Sequence, residues 1–88
     1  MSGNVINDAG RNGIDFDLIQ GNANATITVS DNQVLNAVAE GIDFNDIEED
    51  VVAVITIANN EVVSTESAIA INKIENNANA TVTVSGIR

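Results

Sequence analysis

The chain says the same thing three times. NANATITVS at residues 22–30 returns as NANATVTVS at residues 77–85, and a third, drifted copy lies between them. GIDFDLIQGNANATITVSDNQV (13–34) aligns without a gap over GIDFNDIEEDVVAVITIANNEV (41–62), an offset of 28 residues. Gly13/Gly41, Ile14/Ile42, Asp15/Asp43, Phe16/Phe44, Ile19/Ile47, Ala25/Ala53, Ile27/Ile55 and Thr28/Thr56 match. A further shift of 27 brings AIAINKIENNANATVTVSGIR (68–88) into the same frame, with Ile74 under Ile47 and Thr83 under Thr56. Self-similarity at such a period means one supersecondary unit used repeatedly, with a core that forms between units.

Within a unit the apolar period is two. In Ala25-Thr26-Ile27-Thr28-Val29-Ser30 and Ala80-Thr81-Val82-Thr83-Val84-Ser85, aliphatic side chains alternate with hydroxyls, the pattern of a strand with one buried face. Asp31-Asn32 and Asn59-Asn60 follow as turns, because short amides and carboxylates tolerate left-handed backbone. A second strand opens at glycine in GIDFDLI and GIDFNDI and puts Ile14 with Phe16, and Ile42 with Phe44, on one side. The third segment, DNQVLNAVAEG, has helical spacing, but its counterpart NNEVVSTES is rich in β-branched residues. Equivalent segments share a conformation, so strand is preferred.

The expected fold is all-β: a single domain over residues 1–88 whose units 13–40, 41–67 and 68–88 form a small pseudo-threefold sandwich, barrel or prism. Residues 1–12 supply an N-terminal strand, NVIND, that matches the segment missing from the third unit, and closure there would remove exposed sheet edges. The alternative is a short β-solenoid, with units stacked in line and ladders of Asn and Thr lying on one another.

A domain of 88 residues buries only about two-thirds of its extended-chain surface and leans on some supplement to its core. There is no Cys for disulfides or thiolate metal sites and no His for general acid–base work. Only two Phe accompany the aliphatic residues. Oligomerisation is the supplement left, so the chain itself, as a homo-oligomer, or a larger protein scaffold is the expected partner. The net charge of −10 repels phosphate backbones, and no basic patch is present, which argues against nucleic acid. No apolar run approaches the length of about 20 residues that crosses a bilayer, so no membrane partner is expected. The first residues lack the basic start and apolar stretch of a secretory signal, giving an expectation of synthesis in the cytoplasm and final residence, for one class of role, in a virion.

The densest acidic stretch is EGIDFNDIEED, residues 40–50. Hard cations such as Ca²⁺ take six to eight oxygens, and Asp43, Asn45, Asp46, Glu48, Glu49 and Asp50 are the candidate metal ligands. No glycine supplies the sharp turn of a calcium loop, and Ile47 stands where an oxygen belongs, so a solvated acidic loop is the preferred reading. No cofactor beyond Ca²⁺ is suggested. Asp15 and Asp43 occupy equivalent places, and repeat symmetry is expected to set them apart or to stack them, without the unlike environments that a catalytic carboxylate pair requires. No enzyme is expected.

Thr26-Ile27-Thr28 and Thr81-Val82-Thr83 present paired hydroxyls. This resembles the flat Thr arrays of ice-binding solenoids, but Val54-Ile55-Thr56 breaks the array, and Thr suits the wet face of any strand. Asn24-Ala25-Thr26 and Asn79-Ala80-Thr81 match the N-glycosylation pattern, though the asparagines serve as well to bond local backbone. What remains is a non-enzymatic structural or assembly protein: a virion decoration, cement or tail component, or another self-assembling particle subunit. The alternatives are an extracellular-type Ca²⁺- or carbohydrate-binding module and a designed, reduced-alphabet repeat protein.

Overall fold

The computed structural model describes residues 1–22 and 24–88. Nine strands account for the regular structure among them: β1 (Val5–Asn7), β2 (Ile14–Ile19), β3 (Asn24–Ser30), β4 (Gln33–Ala37), β5 (Ile42–Ile47), β6 (Val52–Ala58), β7 (Glu61–Ser64), β8 (Ile69–Ile74) and β9 (Asn79–Ser85). They form three sheets of order β1-β4-β7, β2-β5-β8 and β3-β6-β9, all parallel. The all-β expectation holds, and the segment after Asp31 is the strand β4. Among the described residues no helix is long and apolar enough to cross a membrane.

Each sheet is one side of a three-sided prism, and each turn of the chain around it is one coil: β1–β3, β4–β6 and β7–β9. The prism is therefore reached by stacking the units in line, as in the solenoid arrangement. β1 does not complete the third unit; it lies on β4 with Val5 opposite Gln33 and Asn7 opposite Leu35. Its sequence likeness to the third segment means that it belongs to the same column, and a column is filled by stacking as well as by closure.

The repeat period is the pairing register. Ile14 stands on Ile42 and Asn24 on Val52, a step of 28; Ile42 stands on Ile69 and Val52 on Asn79, a step of 27. The missing residue lies in β7: Val34 pairs with Val62 but Ala37 with Ser64, so the left-handed Asn36 (φ 65°) has no counterpart in the last coil.

Corners recur where left-handed residues recur. Gly3, Asp31, Asn59 and Gly86 have φ of 66°, 55°, 57° and 62° and stack at the corner after the β3 column. Glu49-Asp50 and Asn76-Asn77 (φ 55–66°) turn the chain into β6 and β9. Asp, Asn and Gly bear this conformation at least cost; Glu49 bears it because the coils on either side dictate the corner.

Just inside the first corner runs a column of asparagines. Asn4 donates from its backbone N–H and its Nδ2 to Asn32 Oδ1 (3.0 and 2.9 Å), and Asn32 donates in the same two ways to Asn60 Oδ1 (2.9 and 3.0 Å). Asn60 Nδ2 reaches back to the Val29 carbonyl at 3.0 Å. Asn32 and Asn60 are 1% and 0% exposed, which the partners found for each side-chain oxygen and nitrogen make tolerable. Ile87 follows Asn60 in this column and ends it, since it carries no amide.

Burial grades along the stack. In the middle coil Ile42, Phe44, Ile47, Ile55 and Ile57 are fully buried, each contributing roughly 1.5–3 kcal/mol. Their equivalents in the last coil are partly open: Ile74 is 48% and Val84 46% exposed. In the first coil Phe16, Ile19 and Ile27 are half-buried.

Candidate functional site

The outer face of β2-β5-β8 collects the acidic stretch, because β5 sends Phe44 and Ile47 inward and leaves the residues between them to the surface. Asp15 stands directly on Asp43, and Leu18 on Asp46, which stands on Lys73. Asp43 is 5% exposed, whereas Asp15 is exposed. Of the two arrangements that the repeat allows, stacked or set apart, the pair is stacked; the difference in environment departs from expectation, and it arises because Asp43 has a coil on both sides and Asp15 on only one. Asp43 accepts from Asn12 Nδ2 (3.2 Å) and Asn72 Nδ2 (3.3 Å). Burial, and next the Asp15 charge, push its carboxyl above the ordinary value, against the Asn12 bond.

Asn45 belongs to a neighbouring amide chain. It donates to Asp17 Oδ1 at 3.2 Å and accepts from Asn72 Nδ2 at 3.0 Å. Glu49 and Asp50 lie exposed at the corner. The six candidate ligands thus divide: Asp43 and Asn45 join hydrogen-bond networks, Glu49 and Asp50 turn the chain, and Asp46 and Glu48 come together.

Glu75 joins Asp46 and Glu48 from the next coil, and one oxygen of each lies within 4.8 Å of the others. Asp46 Oδ1 is buried without a hydrogen-bond partner among the described residues. The Glu48 carboxyl is raised above its ordinary value, first by a hydrogen bond with Asp46, then by burial and by the charges of Asp46 and Glu75, with Asn76 opposing at 3.4 Å. A hard divalent cation suits this oxygen donor set, since it would relieve the repulsion and give Asp46 Oδ1 a partner. Glu75 was missed in the sequence because it sits far from residues 40–50, but the offset of 27 that aligns Ile74 with Ile47 also puts Glu75 under Glu48.

A second carboxyl pair, Glu40 and Glu66, shares a hydrogen bond that raises Glu40, with burial and the charges of Glu66 and Asp43 adding and Arg11 opposing. A shallow depression of about 280 Å³ lies at the asparagine corner, between Gly3, Asn4, Asp31, Asn59 and Arg88.

The outer face of β3-β6-β9 carries no charged residue in its strands. Thr28, Thr56 and Thr83 form one unbroken rank, and Thr26, Val54 and Thr81 a second in which Val54 interrupts the hydroxyls. Asn24 and Asn79 are exposed at the start of β3 and β9. No protein-family model matches the chain, and comparison with curated proteins and with solved structures likewise finds no match. The site is therefore read from its own residues.

Proposed function

We propose that this chain is a structural, non-enzymatic assembly module that acts through protein–protein contacts made by its end coils. The observation that supports the reading is the gradient of burial: inward-facing Ile74 and Val84 are about half exposed at one end, while Ile47 and Ile57 one coil away are fully covered. Beside these side chains β8 and β9 have strand partners on one edge only among the described residues, and an unpaired edge with an apolar flank is a template for another β segment. A small subunit of a self-assembling particle, such as a virion decoration, cement or tail component, has these properties.

Sedimentation velocity over a wide concentration series, with amide hydrogen exchange on the same samples, tests the reading. The expected result is mass that grows with concentration and exchange in β8 and β9 that slows with it. A monomer at every concentration, with end-strand amides exchanging at one unchanging rate, overturns it.

A second reading, a Ca²⁺-binding module, is favoured by the carboxylate trio Asp46, Glu48 and Glu75 and its buried, unpartnered oxygen. The two readings are compatible, because the trio lies on a side of the prism and the open edges at its ends.

A further inference from the structure

The two end segments of the chain are structural doubles. Met1–Asn4 runs along Val29–Asn32: Ser30 N–H donates to the Met1 carbonyl at 2.9 Å, Ser2 bridges Ser30 in parallel, and Gln33 N–H donates to the Asn4 carbonyl at 2.8 Å. Val84–Arg88 occupies the same column three coils further on, where Asn59 N–H donates to the Ser85 carbonyl (3.0 Å), Arg88 N–H to the Asn60 carbonyl (3.0 Å) and Val62 N–H to the Arg88 carbonyl (2.8 Å). Met-Ser-Gly and Val-Ser-Gly align, and Gly3 and Gly86 share a left-handed φ of 66° and 62°. One of these segments covers part of the upper end of the stack, and the other begins a further coil at the lower end.

From this we infer that two copies of the chain stack head to tail, the Val84–Ile87 segment of one displacing Met1–Asn4 from the Val29–Asn32 edge of the other. The inference rests on the assembly reading and gives it a partner, a polarity and a register. Displacing a copy by three coils sets its β2 under β8 and its β3 under β9. Ile14, Phe16 and Ile19 of the second copy then lie beneath Ile69, Ile71 and Ile74, and Val29 beneath Val84, the same columns that already pack within the chain. The coil–coil contact simply continues, with Thr26 and Thr28 of the second copy under Thr81 and Thr83.

Size limits the contact and charge favours it. Three coils at about 4.8 Å match the shortest dimension of 15 Å, so the ends are the broad faces, with an outline of 35 × 21 Å. A three-sided outline of those dimensions encloses roughly 370 Å², below the roughly 800 Å² per partner of a standard interface, so the contact leans on strand pairing along all three columns. Seven of the thirteen acids lie in residues 31–50, in the coil without a free edge. The first coil carries three acids beside Arg11 and the last carries three beside Lys73 and Arg88. Stacking sets Lys73 over Leu18 of the second copy, one residue along the strand from Asp17. An end-to-end arrangement about a twofold axis sets like end against like and forfeits these columns.

Met1–Asn4 acts as a cover. Removing it costs the two Asn4 bonds to Asn32, of which Ile87 can restore the one from a backbone N–H but not the one from a side-chain amide, so the stack competes with a contact inside each chain.

The test uses single cysteines in a chain that has none of its own. Thr26→Cys and Thr81→Cys, both outward and exposed, are mixed and oxidised; facing positions on adjacent strands meet disulfide geometry. The mixed product is expected to dominate over both homodimers. Deleting residues 1–4 is expected to lower the concentration for half-association by on the order of tenfold. The double substitution Ile74→Lys with Val84→Lys, at side chains half exposed in the single chain, is expected to abolish the product while circular dichroism stays native. Homodimers alone, or a deletion that leaves association unchanged, overturn head-to-tail exchange and leave the assembly reading standing. No association by any variant removes both.

Discussion

The rings of Phe16 and Phe44 lie 4.6 Å apart, centroid to centroid, and 2° from parallel, one coil above the other. The pair ends there, because the third member of the column is Ile71. Phe44 is fully buried and Phe16 half-buried. Phe44→Ala is expected to cost about 3–5 kcal/mol, most of the stability of a domain this size, and Phe16→Ala about half as much. Urea titration compares them; equal losses would show that the graded burial of the coils does not govern stability.

The asparagine column makes a sharper test of position. Asn32→Ala removes an acceptor from Asn4 and a donor to Asn60 inside a covered corner, and about 2–4 kcal/mol is the expected loss. Asn4→Ala, at the exposed end of the same column, is expected to cost under about 1 kcal/mol. Thermal melts of the two variants should differ by several degrees.

Gly41 is needed for space. A Cβ there would run into Val62 Cγ1 and lie 2.7 Å from the Ala68 carbonyl oxygen. Gly41→Ala must push the second and third coils apart, and a loss of about 2 kcal/mol or more follows from overpacking. Gly13→Ala meets Val34 and the Gly41 carbonyl in the same way and should behave alike in denaturant titration.

Asp15 and Asp43 couple stability to pH. Asp43 is raised in the folded chain, by burial first and by Asp15 next, so it binds a proton more readily folded than unfolded. Its contribution is complete below the ordinary aspartate value and is lost as pH rises through the raised value. Glu40 and Glu48 act in the same direction. The melting temperature should therefore rise as pH falls from neutral through that window. Asp15→Asn removes a like charge directly opposite, worth about 0.2–1 kcal/mol. It should raise the melting temperature by a few degrees at neutral pH and leave it nearly unchanged below the window. A benefit that persists undiminished in acid would contradict this coupling.

Ca²⁺ should raise the melting temperature if Asp46, Glu48 and Glu75 share it, and EDTA should reverse the effect. Glu75→Gln is expected to remove most of that shift, while Asp50→Asn, at the corner, keeps it. No shift with Ca²⁺ eliminates the cation reading.

What could be read in the sequence follows from locality. Alternation in Ala25–Ser30 and Ala80–Ser85 reveals strands because side-chain direction is set within the strand, and Asp31 and Asn59 reveal corners because left-handed backbone is a local cost. Which strand lies beside which is not local. Val5–Asn7 fits its column whether the units stack or close, so its partner β4 could not be told from β7. Asn32 was legible as a turn residue but not as a buried rung, although Asn4, Asn32 and Asn60 recur at the pairing interval. Glu75 escaped for a related reason: the acidic trio is assembled across coils, and a search for ligands within one stretch of chain finds only two of its members.

The near-identity of β3 and β9 leaves an imprint on how the chain finds its native state. Either strand can lie along β6 with the same side chains inward, so a folding molecule meets two competing matches for one template. Mis-threaded forms offset by whole turns keep most of their hydrophobic matching and act as traps. They are told apart where Phe meets Ile, where Asn60 meets Ile87 and where β7 lacks a residue, and slow refolding with mis-threaded intermediates is the expected kinetic signature.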